Sequence, residues 1–197
     1  ANNAKNMLLE KYPDRKIEII DSTLATVLQG LFVLEGCKLK NQGKSLDETV
    51  KILEKIKVSG RIFFTVGNFE YLIHGGRIGK VAGVAARTLG IRPIIVMQEG
   101  EIFSKGVTRG RIKSKKKTIE ALVDYLHECK SHPSQYSICV GYGYDYEEGK
   151  KFLEELKTQL KKEFPDYDDE VMICHIGATI GVHTGPYPIG LGIIEKV

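Results

Sequence analysis

The segment that most constrains the fold lies near the end of the chain, where residues 180–186 read IGVHTGP. Glycine and proline together keep a regular helix or a central strand from running through it. Apolar runs flank it at Val171–Ile176 and Ile189–Ile194, so the sequence predicts two strands joined by a short polar loop. His183 offers a ring nitrogen and Thr184 a hydroxyl, and both can hydrogen-bond an anion or a carboxylate. An ordinary turn with a structural histidine is the alternative, and the local sequence leaves it open.

A second candidate site segment is the glycine-rich turn at residues 75–79, which reads GGRIG. Its glycines let the backbone approach a ligand or another segment closely. Arg77 carries a planar fork of donors that suits a carboxylate or a phosphate. The spacing matches neither the Walker loop nor the dinucleotide-binding fingerprint. A turn between two helices with a solvated arginine is the alternative interpretation.

Composition excludes several classes of protein. The chain has 197 residues, of which 42% are hydrophobic and 27% charged, which suits one large domain or two small ones. A net charge of +4 is too small to indicate nucleic-acid binding. We find no apolar run long enough to span a membrane, and the polar first residues predict no signal peptide. We therefore expect no membrane insertion.

The four cysteines, Cys37, Cys129, Cys139 and Cys174, lie far apart in the sequence. No pair has the spacing of a zinc site, so we expect no metal and no cofactor. Reduced thiols fit a cytoplasmic protein best.

Hydrophobic periodicity predicts an α/β fold with two parts. In residues 1–62 it indicates helices at Asn2–Lys11, Thr26–Asn41 and 46–57, and strands at Lys16–Ser22 and Arg61–Val66. This part resembles a partial, parallel α/β domain. Residues 63–197 combine helices with a hairpin around Glu99-Gly100, which predicts an α+β domain with a mixed or antiparallel sheet. We place the domain boundary at residues 62 and 63.

One strongly basic run, Arg109–Lys117, precedes a predicted helix at Thr118–Cys129. Cations before a helix oppose its dipole, so they need an acidic neighbour or a binding role. A solvated surface and a docking patch for an acidic or phosphate-bearing partner both remain possible. Nucleic acid is disfavoured, because no aromatic residues alternate with the basic ones.

Taken together, GGRIG at Gly75–Gly79 and HTGP at His183–Pro186 resemble the signatures of the DegV family of bacterial fatty-acid-binding proteins. The resemblance extends along essentially the whole chain. It includes Ile19–Ser22, the Ile91–Ile94 strand and the basic Lys113–Lys117 run. Some members of this family are the lipid-carrying subunit of a fatty acid kinase.

The resemblance implies two α/β domains with a long-chain fatty acid between them. His183 and Thr184 would hydrogen-bond the carboxylate, and Arg77 would supply a compensating charge nearby. The acyl chain would enter an apolar tunnel in the second domain. The expected tunnel lining is Phe64, Leu72, Ile78 and Ile95. The resemblance also implies that Lys113, Lys115 and Lys116 dock a kinase subunit.

The sequence departs from the family pattern in three respects. The family begins with a strand–loop region that contributes to the carboxylate site, and we expect half of that site to be missing unless another chain supplies it. Tyr187 stands where the family often has glycine, and lysine stands in the basic run where arginine is frequent. Lysine keeps the charge but loses the bidentate fork.

Two further functions remain alternatives to a non-catalytic fatty-acid-binding protein. One is a small-molecule enzyme that uses His183 as a general base and Arg77 as an anion clamp. No nucleophile lies beside His183 in the sequence, and we identify no catalytic residue. The other is a docking module built around Lys113–Lys117.

Overall fold

The structure is a computed structural model that describes residues 1–77 and 90–197. The described residues form seven α-helices and six strands. The helices are α1 (Asn2–Lys11), α2 (Thr26–Asn41), α3 (Leu46–Ile56), α4 (Glu70–His74), α5 (Arg111–Glu128), α6 (Tyr146–Glu163) and α7 (Ala178–Thr184). The strands are β1 (Arg61–Thr65), β2 (Ile91–Gln98), β3 (Glu101–Arg109), β4 (Tyr136–Tyr142), β5 (Met172–His175) and β6 (Ile189–Glu195). Ile78 and Gly79 of the GGRIG segment lie outside the described residues.

The strands form a single six-stranded mixed sheet in the order β3-β2-β1-β6-β4-β5. Only the pair of β4 and β5 is parallel among the described strands. The mixed α/β fold predicted from the sequence is therefore confirmed.

Helices cover both faces of this sheet. Helices α5 and α6 pack on one face through residues such as Leu122 and Phe152, which are fully buried. On the other face, α2 and α3 bury a second cluster that includes Leu28, Leu31 and Ile62. Helices from residues 1–62 therefore share a hydrophobic core with strands from residues 63–197. The domain boundary at 62 and 63 stays a prediction.

Local signals set several element ends. The Ser45 hydroxyl accepts a hydrogen bond from the Glu48 N–H while the Glu48 carboxylate accepts one from the Ser45 N–H, and together they form a capping box at the start of α3. Gly43, with φ +79°, ends α2. Glu99 and Gly100 both have positive φ, so they form the two-residue turn that joins β2 to β3.

Three sequence predictions differ from the structure. Residues 15–25 form no regular element, so the predicted strand Lys16–Ser22 is wrong; a strand needs a partner, and no described strand lies beside it. The basic run does not precede its helix, because α5 already begins at Arg111. His183 and Thr184 lie in the last turn of α7 rather than in a loop, and the helix ends at Gly185.

Candidate functional site

The predicted site residues line one cavity of about 610 Å³. The cavity lies between the sheet, the first turn of α2, helix α7, the turn after α4 and the β2–β3 hairpin. Arg77, His183 and Thr184 all contribute to its wall. Two segments about a hundred residues apart in the sequence therefore meet at a single cavity.

The turn that carries Arg77 is fixed by the end of α4. Gly76 has φ +66°, which favours glycine, and its N–H donates to the Ile73 carbonyl at 3.0 Å. The Arg77 N–H donates to the Leu72 carbonyl at 2.8 Å, completing a Schellman motif. Nη1 of Arg77 donates to the Gly75 carbonyl at 2.8 Å. The guanidinium is thus held beside the turn while the residue stays exposed.

The other wall is formed by α7, which presents Thr179, Ile180, His183 and Thr184 to the cavity. The Thr184 hydroxyl donates to the Ile180 carbonyl one turn back, at 3.1 Å. Because this bond uses its proton, the hydroxyl must rotate before it can donate to a ligand. Gly185, with φ +76°, then turns the chain toward β6.

Helices α4 and α7 are in contact at two glycines. Gly75 lies against the His183 ring of α7, and Gly185 lies against the Tyr71 ring of α4. A Cβ added to Gly75 would fall on Nδ1 of His183, and it would lie 3.2 Å from Cγ of the same ring. A Cβ added to Gly185 would fall on the ring of Tyr71 in α4, 3.1 Å from its Cγ. These contacts place the His183 ring directly against the turn that carries Arg77.

The two ring nitrogens of His183 have different surroundings. Nδ1 is buried and has no hydrogen-bond partner among the described residues. Nε2 is not buried in this way, so it is the ring nitrogen that can reach a ligand. When the proton is on Nε2, Nδ1 carries no hydrogen, and no N–H donor is buried without an acceptor. The ring can therefore donate one hydrogen bond into the cavity.

Beyond this polar end, most of the cavity wall is apolar. Of the four residues predicted to line a tunnel, Phe64 and Leu72 line the cavity. Ile95 is fully buried in a cluster with Leu72, and Ile78 lies outside the described residues. Further apolar side chains of the wall are Val27, Ile62, Met97, Ile102 and Ile176. Such a space accepts hydrocarbon and leaves the polar groups to orient one end of it.

The basic start of α5 contains one buried lysine. Lys115 is 7% exposed, and its Nζ lies 3.8 Å from the Glu148 carboxylate. Nε of Arg111 also donates to that carboxylate, at 2.7 Å. Burial acts to raise the pKa of Glu148, but the hydrogen bond and charge of Arg111, together with Lys115, lower it overall. Lys113 and Lys116 remain exposed, so only these two of the predicted docking lysines lie at the surface.

Sequence reasoning did not identify several of these residues. Glu148 carried no signal beyond its place in the first turn of a helix, and its pairing with Arg111 spans 37 residues. Tyr71 and Gly185 gave no sign of mutual contact. The oxygen-bearing Thr26 and Thr179 were also missed, because a lone threonine in an amphipathic helix is not distinctive.

No helix within residues 1–77 and 90–197 is both long and apolar enough to cross a membrane. The same described residues contain no group of three or more histidine, cysteine or acidic side chains placed to hold a metal ion.

Comparisons with known proteins show which sequences and structures this chain is similar to. A family model described as "Uncharacterised protein, DegV family" matches residues 1–196. A DegV domain-containing protein from Clostridium perfringens is 34% identical over 98% of this chain and 64% of its own length. A crystal structure of a stearic-acid-binding protein from Eubacterium ventriosum is 41% identical with a TM-score of 0.89, covering 100% of this chain and 65% of that one. A DegV lipid-binding protein from Thermotoga maritima is 26% identical with a TM-score of 0.75, covering 97% and 64%. The chain thus spans just under two thirds of the length of these relatives.

Proposed function

The chain belongs to the DegV family, and from this premise we propose that it binds a long-chain fatty acid in the cavity between α4 and α7. The observation that carries the proposal is the convergence of Arg77, His183 and Thr184 on one largely apolar cavity. The protein from Eubacterium ventriosum, described as binding stearic acid, supports the same ligand class.

The proposed head-group contacts follow from the charge of a carboxylate. A buried carboxylate is unfavourable unless it is paired and hydrogen-bonded. Arg77 supplies the opposite charge, and Nε2 of His183 supplies a donor on the facing wall. Thr184 adds a hydrogen bond only after its hydroxyl turns away from the Ile180 carbonyl. The acyl chain then lies over Phe64, Leu72 and the other apolar side chains of the cavity.

We further propose that the protein acts without cofactor or metal in the cytoplasm and presents the bound carboxylate to a fatty acid kinase. The exposed Lys113 and Lys116 of α5 are the residues we assign to kinase docking. Lys115 is not part of this surface, because it is buried against Glu148.

The enzyme alternative, with His183 as a general base, gains no support from the geometry. A catalytic histidine is usually oriented by a hydrogen bond to its second ring nitrogen. Within the described residues, Nδ1 of His183 has no such partner.

The test is mass spectrometry of lipid extracted from the protein purified under mild conditions. We expect a long-chain fatty acid in near-equimolar amount. His183→Ala and Arg77→Ala should lose most of it, whereas Lys113→Ala, at the proposed docking surface, should retain it. Folded wild-type protein that carries no fatty acid and does not take one up from solution would refute the proposal.

A further inference from the structure

A second cavity, of about 590 Å³, adjoins the first. It lies between α2 and β5, and its lining includes Leu31, Val33 and Met172. The two cavities share four lining residues. These residues, which we call the partition, are Thr26, Val27, Thr179 and Ile180. A single layer of side chains from α2 and α7 therefore separates the two spaces.

The face of the sheet beneath the partition has a depression, because the residues of β4 and β6 at this point are glycines. Gly141 in β4 is directly opposite Gly190 in β6, and Gly192 follows on the same face. Val27 descends into this hollow: its Cγ1 would lie 3.1 Å from a Cβ on Gly141, and its Cγ2 would lie 3.2 Å from one on Gly192. Because these glycines have no side chain, the Val27 side chain fills the space over the sheet. It therefore separates the two cavities.

The partition begins close to the proposed head-group site. Ile180 and His183 are three residues apart on α7, and both face the first cavity. Successive turns of a helix are about 5.4 Å apart. A carboxylate held by His183 therefore places the first carbons of its chain within about one helical turn of Ile180, a residue of the partition. The first cavity is also lined by Phe64 and by residues of the β2–β3 hairpin.

Resting on the proposed function, we infer that Val27 and Ile180 exclude fatty acids that branch at the carbon next to the carboxyl group. A second arm at the carbon next to the carboxyl group would point at the partition and collide with it. Without the partition, that arm would enter the second cavity. Fatty acids branched beside the carboxylate are therefore rejected.

The expected difference in affinity between the two acids follows from how strongly hydrophobic pockets distinguish ligands of different shape. One extra methylene in a hydrophobic pocket changes affinity about 10- to 200-fold. We expect the wild-type protein to bind hexadecanoic acid at least ~10-fold more tightly than its isomer 2-hexyldecanoic acid, which has equal carbon number.

The experiment compares these two acids by competition against a fluorescent fatty acid, in the wild-type protein and in Val27→Ala. The variant should lower the preference for the straight isomer about tenfold, because the branch gains access to the second cavity. Ile180→Ala opens the same partition from α7, and it decides the question if Val27→Ala does not fold. Val33→Ala is the matched control, since Val33 lines only the second cavity and is 54% exposed. Its preference should equal that of the wild type.

The outcomes separate this inference from the proposed function. If the wild-type protein binds neither acid, the proposed function fails, and the inference fails with it. If it binds hexadecanoic acid but accepts the branched isomer equally, or if neither partition variant changes the preference, only the inference is overturned.

Discussion

Replacing Gly75 with alanine tests whether the contact between α4 and α7 sets the ligand site. The backbone of Gly75 has φ −76° and ψ 0°, which alanine adopts without strain. The added methyl, however, would fall on Nδ1 of His183 and lie 3.0 Å from the Tyr71 carbonyl oxygen. Carbon atoms pack at about 3.5–4.0 Å, so the ring must move by on the order of 1 Å.

Two effects then determine the stability of the variant. Inserting a methyl group into a packed contact costs about 1–3 kcal/mol. Replacing glycine by alanine at a compatible backbone position stabilises the folded protein by about 0.4–1 kcal/mol, because the unfolded chain has less conformational entropy. We therefore expect a net loss of about 0–2.5 kcal/mol in the free energy of unfolding.

The effect on binding should be larger than the effect on stability. A hydrogen bond to a charged group contributes about 1.5–3 kcal/mol, which corresponds to about 10- to 150-fold in Kd. Displacing the His183 ring would remove the proposed hydrogen bond to the carboxylate. Gly75→Ala should therefore weaken fatty-acid affinity by about that factor, as measured by displacement of a fluorescent fatty acid.

The matched control is Gly181→Ala, which adds a methyl to α7 itself where nothing lies within 4 Å. It should bind like the wild type. Urea unfolding of both variants establishes that they are folded during the binding assay. Wild-type affinity in folded Gly75→Ala protein would refute the idea that this contact positions the His183 ring.

Two further predictions concern stability. Glu35 is fully buried, and its carboxylate accepts hydrogen bonds from the Ser137 hydroxyl at 2.6 Å and from the Val197 N–H at 3.1 Å. Glu35→Ala should therefore lower the free energy of unfolding in urea by about 3 kcal/mol, because it leaves these donors unpaired. Glu154→Ala, the control that removes the exposed ion-pair partner of Lys157, should lose less than ~1 kcal/mol, and equal losses would contradict the assignment. Since Arg111 helps lower the pKa of Glu148, the stability from that pair is fully present above the unfolded-state pKa of about 4.3 and is lost as the pH falls through the folded-state value. The difference in unfolding free energy between wild type and Glu148→Gln should therefore shrink on acidification from pH ~5 to ~3, and a difference that stays constant would exclude this linkage.

The predictable parts of the fold are those with local causes. Ser45 and Glu48 set a helix start because both lie within one turn, and Gly43 sets a helix end through its own backbone angle. The hairpin at Glu99 and Gly100 could be predicted for the same reason, because its turn depends on the backbone angles of these two residues. These signals need no knowledge of distant segments.

The parts that were not predictable depend on distant partners. Residues 178–184 form a short helix that packs against α4, whereas their own propensity suggested a loop. Conversely, Lys16–Ser22 has the composition of a strand but lacks a described neighbour to pair with. The meeting of Arg77 with His183 was expected only from the family resemblance, since no local pattern connects the two segments.

The glycines under the partition have a consequence for any attempt to stabilise this protein. Valine or isoleucine suits a central strand better than glycine, so a redesign guided by strand propensity would replace Gly141 and Gly192 first. Those replacements would push against Val27, which occupies the space over both glycines, and would displace the partition. The weakest positions of this sheet by propensity are thus the ones that should be left unaltered.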